Sequence, residues 1–150
     1  MKARHALIFW LLSLLCLTAC EAEMSLSYNL STGDAVTVTL DVEDGTYLFP
    51  ESNCFVVRRD GQTLLSGRFV QFEDYFDYIL SFEELEVYEI IPEDDTPTYY
   101  FFEESLEDGF LFTFLTQVED QSTGAVVTAS GISIEEAEDT FLHLHFTALH

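Results

Sequence analysis

Phe110-Leu111-Phe112-Thr113-Phe114-Leu115-Thr116-Gln117-Val118 alternates phenylalanine with leucine and threonine, so an extended chain over these residues has no fully polar face. A strand with one wet face alternates apolar with polar residues. A run that is apolar on both faces belongs inside a sheet, with other material packed on each side. The stretch therefore predicts a central strand in a layered domain, and its neighbours supply the partners. Leu106-Glu107-Asp108-Gly109 turns it back onto a strand over Thr98 to Glu103. Glu119 to Gly124 turns it onto Ala125 to Ala129.

Further out, Ala35 to Val42 alternates Val36, Val38, Leu40 and Val42 with Thr37, Thr39 and Asp41, the pattern of a half-buried strand. Asp44-Gly45 leads into Thr46 to Phe49, which Pro50 ends. Cys54 to Arg59, Asp60-Gly61 and Thr63 to Val70 read as a tight hairpin. Glu86 to Ile91 is another strand, and Pro92 to Pro97 is a loop. Two segments change period. Phe72, Phe76, Ile79 and Leu80 fall on one helical face within about 71–81. Ser133-Ile134-Glu135-Glu136 has the Ser-x-x-Glu capping spacing and opens a helix over about 134–144 through Ala137, Phe141 and Leu144. The tail after it reads as a closing strand. Hairpins separated by two helices predict an α+β single domain, with a mainly antiparallel twisted sheet of about six to eight strands.

The amino-terminus reads differently. Lys2, Arg4 and His5 precede an apolar run from Ala6 to Leu17 broken only by Ser13. A bilayer core needs about 20 apolar residues, so the run is too short to span it and fits a cleaved targeting signal. It closes on Leu17-Thr18-Ala19-Cys20, which resembles the lipobox of bacterial lipoproteins: a branched apolar residue, two small residues and a cysteine. The resemblance implies that residues 1–19 are removed and that Cys20 becomes a lipidated, palmitate-bearing terminus. It also implies that the chain is held at the extracytoplasmic face of a cell membrane or outer membrane. Residues 20–24 then form a short tether, and 25–150 the domain.

All 28 acidic residues lie after Cys20, whereas only Arg58, Arg59 and Arg68 remain of the five basic ones, so residues 20–150 carry a net charge of −25 and no lysine. Phosphate recognition needs clustered Lys and Arg, so no nucleic-acid partner is expected. Lysine chemistry is excluded with it. The acidity suits attraction to cations, whether metal ions or basic proteins, or simple solubility. At 48% hydrophobic and 15% aromatic, the chain is rich enough in apolar residues to fold. Cys54 is the lone cysteine left after Cys16 and Cys20 are assigned to the leader and the lipid, so no internal disulfide is expected.

The element order from about residue 30 to 147, with the hairpin around Arg58-Arg59-Asp60-Gly61 and the Glu-rich helix running into Leu144-His145-Phe146, resembles the Mog1/PsbP-like fold that recurs in small bacterial lipoproteins. That resemblance implies a binding or assembly module and carries no catalytic residues across.

Candidate chemistry is sparse. His143-x-His145 has Zn²⁺ ligand spacing if it lies on a strand, where residues i and i+2 share a face. On a helix the pair points about 200° apart. Asp41, Glu43 and Asp44 form a candidate Ca²⁺ turn, as do Glu93, Asp94 and Asp95, without the spaced Asp-x-Asp-x-Asp-Gly pattern. Tyr75, Tyr78, Tyr88, Tyr99 and Tyr100 suit either a ligand surface or packing. No nucleophile elbow, His-Glu-x-x-His or glycine-rich phosphate loop occurs, and no motif demands a cofactor. The expected function is a non-enzymatic binding or envelope-accessory module, taking a protein partner such as a cationic lysozyme or antimicrobial peptide. A divalent-cation (Ca²⁺ or Zn²⁺) module is the second reading. A carboxylate-dependent hydrolase is the third.

Overall fold

β8, Gly109–Gln117, occupies the interior position that its two-sided apolar pattern demands, between β7 (Tyr99–Leu106) and β9 (Thr123–Ser130). The computed structural model describes residues 22–42, 45–52, 54–93 and 96–149. β8 belongs to a seven-stranded sheet in the order β3-β4-β5-β9-β8-β7-β6, completed by β3 (Thr46–Glu51), β4 (Cys54–Arg59), β5 (Gln62–Gln71) and β6 (Tyr88–Ile90). A second sheet of three strands runs β1-β2-β10, from β1 (Ala22–Asn29), β2 (Ala35–Val42) and β10 (Leu144–Ala148). Every described strand pairing is antiparallel. The α+β class and the antiparallel sheet are as expected. The described strands number ten and divide between two sheets, because the amino-terminal residues form an unforeseen strand and the small sheet separates from the large one.

The two faces of the large sheet bury different cores. Phe112 and Phe114 of β8 join Phe55, Val57, Leu65, Tyr99 and Val127 under the small sheet and the second helix. Leu115 points the other way, with Phe102 of β7 and Val126 of β9, onto Ile79 of the first helix. α1 (Phe72–Leu80) is the short amphipathic helix expected at about 71–81, with Glu73 and Asp74 in its first turn, where carboxylates suit the helix dipole. α2 (Ile134–Leu142) starts as its capping sequence demands, with Ser133 Oγ accepting from the Glu136 amide at 3.2 Å. The Glu136 carboxylate is engaged by Arg59 of β4, which ties the helix start to the large sheet. α2 ends two residues before the expected 144, because His143 already caps it and Leu144 begins β10.

Asp60-Gly61 makes the β4–β5 turn with both residues at positive φ (51° and 81°), the geometry of a two-residue hairpin that matches strand twist. Between β1 and β2, the Asp34 carboxylate accepts from the Thr123 hydroxyl at 2.6 Å, stitching the small sheet to β9.

Tyr99 gives this core a pH limit. Its ring is buried against Phe141 and Phe114, and its hydroxyl donates to Glu138 at 2.6 Å. Burial, then the hydrogen bond to Glu138 and its charge, raise the phenol pKa far above the usual 10. A group raised in the folded state contributes its full stability below the unfolded value. That contribution drains away as pH climbs above about 10 towards the folded value. The melting temperature is therefore expected to fall as pH rises above about 10, and Tyr99→Phe is expected to flatten part of that fall. An unchanged slope in Tyr99→Phe would count against the assignment.

Candidate functional site

Two of the metal-ligand candidates read from the sequence have members at one corner. Asp41 lies next to the last residue of β2 and His145 lies on β10, and antiparallel pairing brings them together, with His145 Nε2 donating to Asp41 Oδ2 at 2.8 Å. The Asp41 amide donates to the His143 carbonyl at 3.0 Å. The two imidazoles do not act as a pair. His143 caps the end of α2 with helical backbone angles and its Nδ1 donates to the Asp139 carbonyl at 2.7 Å, whereas His145 lies on the strand that follows. The strand geometry that would align residues i and i+2 therefore does not apply. His143 lines a small cavity of about 50 Å³ with Asp41, Arg59 and Asp139, whereas His145 lines a separate cleft. Among the described residues no group of three or more His, Cys, Asp or Glu is placed to hold a metal ion. Glu43 and Asp44 lie outside the described residues, as do Asp94, Asp95 and the lipobox with Cys20.

Ala22, Glu23 and Met24 pair with Val42, Asp41 and Leu40, so these three residues belong to β1 and not to the expected tether over 20–24. Met24 packs against the core, which is what draws these residues into the sheet. Among the described residues, no helix is long and apolar enough to cross a membrane.

The three arginines do not form one positive spot. Register places Arg58 and Arg68 on the outer face of the large sheet and Arg59 on the inner one. Arg58 pairs with Glu51 at 3.2 Å and lies over the Phe49 ring, Arg59 pairs with Glu136, and Arg68 lies over Tyr75. Cys54 is half-buried, with Sγ 3.9 Å from Glu51; burial and the neighbouring carboxylate push its thiol pKa up, away from a reactive thiolate. The tyrosines also divide. Tyr99 is core, Tyr100 packs on Phe76 at 4.5 Å, and Tyr78 and Tyr88 face solvent.

One feature had no signature in the sequence. A cleft of about 190 Å³ opens beside β10, lined by Thr96, Pro97, Phe141, Leu144, His145 and Phe146 among others. Past Pro97, Gln117 and Glu119 it continues into a wider polar depression that includes Asp120 and Gln121. Gln121 Nε2 donates to the Ala35 carbonyl at 3.0 Å, while its buried Oε1 has no hydrogen-bond donor among the described residues. Among the described residues, no lysine or arginine lines either cavity. Residues from three separate parts of the chain meet here, so local sequence pattern could not reveal it. Comparison with protein-family models, with curated proteins and with solved structures finds no match.

Proposed function

We propose that this chain is a lipoprotein anchored through Cys20 at an extracytoplasmic membrane face, where its domain acts as a non-enzymatic binding or envelope-accessory module for cationic proteins. The observation that carries the reading is the lack of internal neutralisation. Against 28 carboxylates, the arginine–carboxylate pairs among the described residues are Arg58–Glu51 and Arg59–Glu136, and Asp41 accepts a hydrogen bond from His145. This excess of negative charge sets up a field that accelerates encounter with a basic surface while repelling an acidic one. Attraction of this kind is screened by salt, with a Debye length of about 8 Å at physiological ionic strength.

The test is binding of a basic protein such as a lysozyme, measured against ionic strength by surface plasmon resonance. Affinity is expected to fall at least about tenfold between about 20 mM and 300 mM salt, mainly through the association rate. An affinity indifferent to salt, or none at low salt, would sink the cationic-partner reading. The anchor has its own test: Cys20→Ser is expected to leave the membrane fraction, and its retention there would remove the lipid.

A further inference from the structure

β10 presents an unpaired edge to the cleft beside it. The Asp41 amide donates to the His143 carbonyl and the Leu149 amide to the Ala35 carbonyl, at 3.0 and 2.9 Å. With the register Leu144↔Leu40 to Ala148↔Val36, the hydrogen-bonded pairs with β2 are those of His145 and Thr147. Leu144, Phe146 and Ala148 therefore turn their N–H and C=O groups away from β2, and no described strand pairs with them there. An open edge of this kind is a template for another strand. The cleft lies along it, apolar at Pro97, Phe141, Leu144 and Phe146, and its volume of about 190 Å³ suits one large side chain. Glu119 stands at its far end, with Asp120 just beyond. The buried Oε1 of Gln121 adds an acceptor that lacks a donor.

We propose that β10 is a docking edge for an extended basic segment of a protein partner, which adds a fourth strand to the small sheet. Main-chain hydrogen bonds to Leu144, Phe146 and Ala148 hold the guest. One apolar guest side chain fills the cleft, and a lysine or arginine beyond it meets Glu119 and Asp120. This assignment rests on the cationic-partner reading and names where that partner is gripped. Strand addition draws affinity from the backbone and specificity from alternate side chains, so the preferred guest alternates apolar and basic residues.

The probe is a short capped peptide alternating lysine and valine, added to the full chain in detergent micelles, with residue-resolved amide exchange followed by NMR. A lysozyme titration runs in parallel. Exchange is expected to slow at Leu144, Phe146 and Ala148 only, since the amides of His145 and Thr147 are already protected by β2. Ala148→Pro removes one edge N–H without touching the β2 ladder, and is expected to weaken peptide binding at least about tenfold. Glu119→Lys, which leaves the backbone intact, is expected to weaken it too and covers the case in which the proline variant fails to fold. Salt-sensitive lysozyme binding without the alternating protection, or with wild-type peptide affinity in Glu119→Lys, would overturn the docking edge and leave the broader reading standing. Absence of both peptide and lysozyme binding at low salt would overturn both.

Discussion

Phe114→Ala is expected to destabilise the fold by about 4 kcal/mol, within the range for emptying a buried aromatic site. Phe114 is fully buried at the centre of β8, stacked on Phe141 at 4.7 Å and 11°, and in contact with Tyr99 and Phe101 at 6.1 and 5.4 Å between ring centroids. The partners come from α2 on one side and from β7 on the other. Each is locked by its own neighbours, so the void left by the ring cannot collapse. For a domain of this size the change corresponds to a drop in melting temperature on the order of 15 °C. A loss below about 1.5 kcal/mol in denaturant titration would mean that the helix settles into the space.

Gly67→Ala is expected to cost about 3 kcal/mol although it adds a single methyl group, because the core has no room to shift. Gly67 lies on β5 directly opposite Phe55 of β4, and a Cβ there would overlap the Cζ end of the Phe55 ring, 2.5 Å from each Cε. Phe55 has no exposure, and its ring is held against Phe69 and Phe146 at 6.0 and 5.9 Å. Its displacement would disturb the small sheet as well as the large one. The double variant Gly67→Ala/Phe55→Leu should recover part of the loss, since a smaller side chain releases the overlap. An unaltered midpoint in the single variant would show that the ring escapes freely. Glycine is required here for close approach and not for a turn.

What was legible in the sequence was local. The two-sided run of β8, the Asp60-Gly61 hairpin and the Ser133 cap each state their structure within a few residues, and each folds as read. The strand at Ala22–Asn29 carried a signal in the alternation of Met24, Leu26 and Tyr28 with Glu23, Ser25 and Ser27. Its first three residues fall within the expected tether over 20–24, and no element is expected over the rest. The histidine spacing misled because His143 caps α2 while His145 lies on β10, and element boundaries depend on packing more than on local pattern. The Asp41–His145 contact joins residues 104 apart in the chain. The cleft beside β10 is equally non-local, since it exists only once α2, β10 and the loop at Pro97 are assembled.

The start of β1 at Ala22 has a mechanical consequence. On the proposed anchor, a two-residue leash from Cys20 to the first strand spans at most about 7 Å. That is shorter than the roughly 8 Å over which surface charge is felt at physiological ionic strength. A domain so acidic cannot lie flat on an anionic leaflet without bringing many carboxylates inside that layer. On that proposal, charge repulsion would favour orientations that turn the carboxylates away from such a leaflet. Seven rises of about 3.4 Å separate Ala22 from Asn29, so the two ends of β1 lie roughly 24 Å apart. An anchor at Cys20 would then hold one end of this strand close to the surface and bound the reach of everything built on it.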